Sequence, residues 1–337
     1  MNNLNFATFG ALLTLFASPV LAATLTTQQL LTQFNSVTTG DVTISQEIEG
    51  RTYVGGNLTS KGGAQFDLRA SQTAASSYDG LVVGGSVTGG GVTMENKSGA
   101  TVGGNVANQN FELNGGGTLR AGGKITANAN QGTKLSGQAG TAGFSDRFID
   151  DIGGTVAKTS AGLATLKGQD AKVSGNKAVF NAAATNGTTV YSVDFGLFSK
   201  ISEIELDRNG ATTVVINVSG AGGKLSSNFL GNSMASARNV VWNFYEAKTL
   251  DFTTQFMGSV LAASANISNT TPIEGSVIAK SATYNGEVHL QTFAGTLPVF
   301  SSQPLGATPV PVPAALPLLG SAIAGLAFIG RRRRKAA

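Results

Sequence analysis

The chain holds no cysteine and a single histidine, His289, and these two facts close most routes to side-chain catalysis. A Cys–His pair is impossible, and a Ser–His–Asp arrangement could rest only on His289. One histidine without cysteine also falls short of an ordinary zinc ligand set. His289 stands in Gly286-Glu-Val-His289-Leu290, an apparent final coil of the strand-rich region, where a structural hydrogen-bonding role is expected. The other candidates are Glu203, Glu205 and Asp207. Alternation along Ile201–Arg208 puts these acids on one strand face and Ile204 and Leu206 on the other. Their oxygens suit Ca²⁺, or the paired carboxylates of a β-helical polysaccharide-cleaving enzyme, against the plainer reading of a solvated strand face. Asp146, Asp150 and Asp151 have the same plain reading, as the polar side of a helix.

Other motifs read as packing. Gly122-Gly-Lys124 is followed by Ile125, where a phosphate-binding loop needs Ser or Thr. Trp242 and Phe244 alternate with Asn243 and Tyr245, so one pair faces a core and Tyr245 is the more accessible ligand contact. The Val-Thr pairs Val42-Thr43, Val87-Thr88 and Val92-Thr93 look too scattered to form the flat threonine array that ice binding requires.

The elements that must position these residues are short strands. Glycine makes up 45 of 337 residues and charge only 12%, while Ser, Thr, Asn and Ala alternate with Val, Ile and Leu. Brief strands bounded by Gly or Asn follow from this pattern. A Gly-Gly-x-apolar unit recurs as Gly55-Gly-Asn-Leu58, Gly84-Gly-Ser-Val87, Gly103-Gly-Asn-Val106 and Gly122-Gly-Lys-Ile125. A second series follows as Gly258-Ser-Val-Leu261 and Gly275-Ser-Val-Ile278. These recurrences fit the coils of an all-β, irregular or discontinuous β-solenoid, with glycines at corners that need φ > 0 or close backbone approach. Two helices interrupt the strands. Phe144, Phe148, Ile152, Val156, Leu163 and Leu166 mark one face of a covering helix over about 144–167, with Ser145 as its N-cap and Gly153-Gly154 weakening its middle. A shorter helix is expected from Thr27 to Phe34.

The two ends read as addresses. Phe6 to Leu21 is apolar or small and leads to Val20-Leu21-Ala22, so residues 1–22 are expected to be a signal peptide cut after Ala22. At the other end, a Pro-rich linker (304–313) runs into Val310-Pro311-Val312-Pro313-Ala314, an uncharged stretch to Gly330, and Arg331-Arg332-Arg333-Arg334-Lys335. As a helix, residues 314–330 would reach about 25 Å, barely enough to span a membrane, with the cations held on the cytoplasmic side. The whole chain has 23 Lys and Arg against 19 Asp and Glu. Without the five cations of the tail, residues 23–330 carry 18 against 19, a net charge of −1. The exported part is nearly neutral, which argues against nucleic acid as a partner.

Several of these residues together carry a resemblance: Phe34-Asn35, the run from Glu47 to Leu58, Thr213 to Gly220, Asn239 to Phe244, Gly258 to Ala262, Gly275 to Ala279, and Asn285 to His289. In this order they resemble choice-of-anchor A domains, bacterial surface domains that occur with different sorting tails. The tail is similar to exosortase-type signals of Gram-negative bacteria, in the variant opening Val-Pro-x-Pro-Ala, and residues 310–337 would form it. The resemblance implies an adhesive domain over residues 23–303, at the envelope or matrix, with no catalytic residues and no cofactor. Its implied partners are signal peptidase, an exosortase-like processing enzyme, the membrane before processing, and extracellular polysaccharide. The order of helix, Val-Val-Ile strand, Trp strand and two Gly-Ser-Val coils is also similar to the ice-binding β-solenoids. A polysaccharide- or ice-binding module, and a polysaccharide hydrolase or lyase, stay open beside the adhesive reading.

Overall fold

A short parallel strand can satisfy its backbone only by pairing with the copy of itself before and after it in a stack, and this chain is built on that rule. The computed structural model describes residues 24–300 apart from 184–185. Among them, 22 strands join in one sheet and four in a second. The large sheet follows three tracks, each a flat face of the stack.

The first face runs through Thr188–Asp194, Thr213–Ser219, Val240–Phe244, the starts of Ser259–Asn269 and Val277–Tyr284, then Ser36–Thr38, Thr52–Val54, Leu81–Val83, Ala100–Val102, Thr118–Ala121 and Thr133–Ser136. The second runs through Gly222–Leu225, Thr249–Phe252, the ends of Ser259–Asn269 and Val277–Tyr284, Val42–Ile44 and the starts of Leu58–Phe66 and Val87–Met94. The third includes Ile273–Glu274, Val288–His289, Glu47–Ile48, the ends of Leu58–Phe66 and Val87–Met94, and Asn110–Leu113. All pairings in the large sheet are parallel.

The rungs are not stacked in chain order. The strand Val277–Tyr284 pairs on one side with Ser259–Asn269 and on the other with Ser36–Thr38 and Val42–Ile44. The C-terminal half of the chain therefore stacks directly on the N-terminal rung. His289 belongs to the last coil in sequence but lies mid-stack, paired with Glu274 on one side, while its neighbour Val288 pairs with Ile48 on the other.

The glycine repeats stack as expected, through close approach rather than positive φ. A Cβ at Gly84, Gly103 or Gly122 would run into the carbonyl oxygen of Gly55, Gly84 or Gly103 on the rung before. Phe144 and Phe148 pack edge to face, with ring centroids 5.3 Å apart, over the corners at Gly122 and Gly103. Inside, an aromatic cluster gathers round the fully buried Trp242: Phe180, Phe198, Phe229, Phe244 and Phe256 all lie within 6.3 Å, centroid to centroid.

Among the described residues, four α-helices flank the strands: α1 (Thr27–Gln33), α2 (Gly137–Thr141), α3 (Ile152–Ala164) and α4 (Ser233–Ser236). Helix α1 has the expected start, a capping box between Thr26 and Gln29. The expected helix over 144–167 is shorter. Phe144–Asp146 is a 3₁₀ turn, and α3 begins at Ile152 with Asp151, not Ser145, as N-cap; its carboxylate accepts from the Gly154 amide. Gly153 and Gly154 thus fall in the first turn rather than the middle. The Phe144 and Phe148 spacing that suggested one continuous helix comes instead from two rings seated on successive glycine corners.

Helix α3 lies on the first face, pinned by a closed polar network. Ser160 donates to Asn243 at 2.6 Å, Asn243 donates to the Ser160 carbonyl and to Asn217, and Asn217 donates to the Leu163 carbonyl at 2.7 Å. All three side chains are buried, and each bond removes a desolvation cost that an unpartnered amide would carry. Among the described residues, no helix is long and apolar enough to cross a membrane. The expected signal peptide with its cut after Ala22, and the tail over 310–337, lie outside the described residues.

The glycine stack gives a direct test. Gly103→Ala should lower folding stability by about 1–3 kcal/mol, the usual cost of forcing a methyl into a filled space. Gly62→Ala, where a Cβ would meet nothing within 4 Å, should change it far less. Equal denaturant midpoints for the two variants would contradict the tight corner stack.

Candidate functional site

On the second face the outward side chains repeat in register and stay in contact with solvent. Its inward residues, Leu250, Ile267, Ala282, Val42, Leu58 and Val87, are buried. The residues that follow them point outward, as period-two alternation requires. They form one column across six rungs: Asp251, Ser268, Thr283, Thr43, Thr59 and Thr88. Rungs of a parallel sheet are about 4.8 Å apart, so the hydroxyls from Ser268 to Thr88 follow the rung spacing in a single row. The Thr59 and Thr88 hydroxyls are 3.3 Å apart.

A second ladder at the corner makes this row rigid. An Asp41 carboxylate oxygen accepts from the Asn57 amide, the Asn57 side-chain oxygen from the Ser86 amide, the Ser86 hydroxyl from the Asn105 amide, and the Asn105 side-chain oxygen from the Lys124 amide, at 2.7–3.0 Å. Each corner residue thereby fixes the rung that follows it.

The expectation of scattered threonines is corrected here. Thr43 and Thr88 stand in one column with Thr59 between them and Thr283 beside them. The sequence hides this because Thr283 is far away along the chain and because an insertion lengthens the coil before Thr88. Thr93 lies elsewhere, on the third face beside Gln65 and Glu112.

The acids foreseen as a candidate calcium site share one face of Glu203–Asp207, with Ile204 and Leu206 buried behind them. They stay spread along the strand, alternate residues about 6.6 Å apart, and Glu205 is paired with Lys177 at 2.9 Å. Among the described residues, no three acidic or histidine side chains are grouped to hold a metal ion. Trp242 and Phe244 are core residues, whereas Tyr245 is half-buried at an open cleft. Asp146 and Asp150 are exposed.

A polar cluster not foreseen as a unit surrounds His289 on the third face. Both ring nitrogens are bonded, Nδ1 to Glu274 at 2.7 Å and Nε2 to Glu287 at 2.6 Å. Glu274 is 3% exposed and also accepts from Gln255. On the next rung Glu49 accepts from the Leu290 amide and pairs with Arg69 at 2.7 Å, and Glu47 lies alongside. Burial works against a charged imidazole here, but the hydrogen bonds to Glu287 and Glu274 outweigh it and raise the His289 pKa above its ordinary value. Burial, together with the nearby charges of Glu287 and Glu49, likewise raises the Glu47 carboxyl. This cluster is not visible along the chain, because its acids come from three separated stretches.

A family model described as "Putative Ice-binding-like adhesive domain" matches residues 27–290. No curated protein matches the chain. Two solved structures are similar to it. One is an ice-binding protein from the Antarctic ascomycete Antarctomyces psychrotrophicus, 14% identical, with 80% of this chain and 98% of that chain covered and a TM-score of 0.29. The other is an ice-binding protein from an Antarctic bacterium, Flavobacteriaceae, 16% identical, with 75% and 79% covered and a TM-score of 0.26.

The His289 cluster makes stability depend on pH. The folded chain holds the His289 proton more tightly than the unfolded chain, so the contribution is complete below about pH 6.5 and is lost as pH rises through the higher folded value. Glu47 acts in the same direction at lower pH. The melting temperature should therefore fall as pH rises above about 6.5, and His289→Gln should flatten that slope. A wild-type melting temperature that rises above that pH would contradict the assignment.

Proposed function

The chain belongs to the family of ice-binding-like adhesive domains, and we propose that it is an exported, non-catalytic adhesive domain that meets its target through the second face. One observation carries this reading: the outward column from Asp251 to Thr88 is in register across six rungs and faces solvent. The first face is partly covered by α3, and the acids of the third are engaged with His289, Gln255 and Arg69. A wide, flat, rigid surface suits contact with another extended surface. It also loses little conformational entropy on binding.

We read the stack as a discontinuous β-solenoid of the choice-of-anchor A type. In this reading residues 1–22 direct export with a cut after Ala22, and Val310-Pro311-Val312-Pro313-Ala314 with Arg331 to Arg334 form an exosortase-type signal. The domain is then delivered to the envelope or extracellular matrix of a Gram-negative bacterium. Support comes from the family and from the residues themselves. Adjacent threonines at Thr283, Thr43, Thr59 and Thr88 favour ice as a second target, since they present hydroxyl and methyl groups at a fixed repeat.

Two variants separate the parts of this proposal. Deleting residues 310–337 should leave a folded domain that is no longer retained at the envelope, and unchanged retention would remove the sorting reading. Thr59→Lys with Thr88→Lys should keep the melting temperature and lower attachment of producing cells to a surface by about tenfold, roughly 1.4 kcal/mol of contact. Unaltered attachment would exclude the second face. Inhibition of ice recrystallisation by the unaltered chain, lost in the same double variant, would identify ice as the target.

A further inference from the structure

An open cleft of about 500 Å³ lies on the first face, beyond the end of α3, within the size range of small-ligand sites. Its floor continues the strands that α3 covers elsewhere. Asp194, Ser219 and Tyr245 stand there on three successive rungs, because Asp194 pairs with Ser219 and the register sets Ser219 beside Tyr245. Asp170, Val173 and Lys200 complete its lining.

We propose that this cleft binds one pyranose unit of an uncharged extracellular polysaccharide. Tyr245 offers a half-exposed aromatic face against which the C–H side of a sugar ring can lie, with its hydroxyl still able to reach water. Asp194 is held in place from two sides. It accepts from the Gly196 amide at 2.8 Å and from the Ser219 hydroxyl at 3.2 Å. A carboxylate has about four acceptor positions, so two remain for a pair of neighbouring sugar hydroxyls, in charge-assisted bonds. Ser192 adds a further donor and acceptor on the floor. Two carboxylates, Asp170 and Asp194, face a single cation, Lys200, and this balance disfavours a uronate. The cleft is separate from the second face, so either assignment can fail while the other stands.

The experiment uses the full-length chain in mild detergent and titrates three probes by calorimetry: a β-1,4-linked glucose hexamer, a β-1,4-linked N-acetylglucosamine hexamer and an α-1,4-linked galacturonate hexamer. At least one of the first two should bind, more tightly than the galacturonate. Tyr245→Ala should weaken that binding at least about tenfold, whereas Tyr245→Phe keeps the ring and should stay within about threefold. Asp194→Asn, which preserves shape, should also weaken it, so the outcome does not rest on one variant's folding. Thr59→Lys with Thr88→Lys should leave it unchanged. No binding of either uncharged hexamer, a preference for galacturonate, or wild-type affinity in both Tyr245→Ala and Asp194→Asn would overturn the proposal.

Discussion

The pairing of Val277–Tyr284 with Ser36–Thr38 and Val42–Ile44 is the interaction on which the rest of the structure depends. Without it the chain would be two short stacks, each ending in a row of unpaired amides and carbonyls. Several buried polar bonds are concentrated at this seam. Asn35 donates to the carbonyls of Gly275 and His289 and accepts from the Gly50 amide, all at 3.0 Å. The Ser276 hydroxyl reaches the carbonyls of Leu31 and Phe34, and Ser36 and Tyr284 share a hydrogen bond of 2.8 Å. Helix α1 is thereby tied to a rung at the far end of the chain. One outer edge meets a single bridge: Gln169 bonds the Val190 carbonyl and the Ser192 amide of the strand Thr188–Asp194.

Once the seam is closed, the three faces acquire different characters. The first lies partly beneath α1 and α3, so its outward residues Val37, Val215, Val241, Leu261 and Ile278 are as buried as a core. The third collects Glu47, Glu112 and Glu274, and Glu203 and Glu205 lie on the second sheet. A chain that is nearly neutral between its ends is therefore not neutral everywhere on its surface. The second face presents hydroxyls from Ser268 to Thr88, with Asp251 and Lys224 at one end of the column.

Local features were legible in the sequence and long-range ones were not. The glycine corners could be read because a repeat of Gly-Gly-x-apolar leaves its period in the chain. Glu203, Glu205 and Asp207 could be placed on one face, and Trp242 and Phe244 in the core, because strand alternation is a short-range rule. By contrast, Ser145 and Asp151 both precede apolar spacing, and which of them caps the helix is decided by where Phe144 and Phe148 find glycine corners to cover. The threonine column and the His289 cluster each need residues from both sides of the seam. Nothing in a linear reading says that Thr283 is the neighbour of Thr43.

The corner ladder explains why a stack this polar on the outside can present a defined surface. Side-chain amides and hydroxyls on a strand ordinarily compete for backbone groups and blur the register. Here Asp41, Asn57, Ser86 and Asn105 make those bonds at the corner, each holding the amide of the rung that follows. The backbone is then satisfied without drawing on Thr43, Thr59 or Thr88. Their χ1 angles are already restricted by branching at Cβ, so the column keeps a defined geometry, with the Thr59 and Thr88 hydroxyls bonded to each other. A surface ordered in this way recognises regularity in its target more than the identity of any one group, which is what contact with an extended solid or polymer demands.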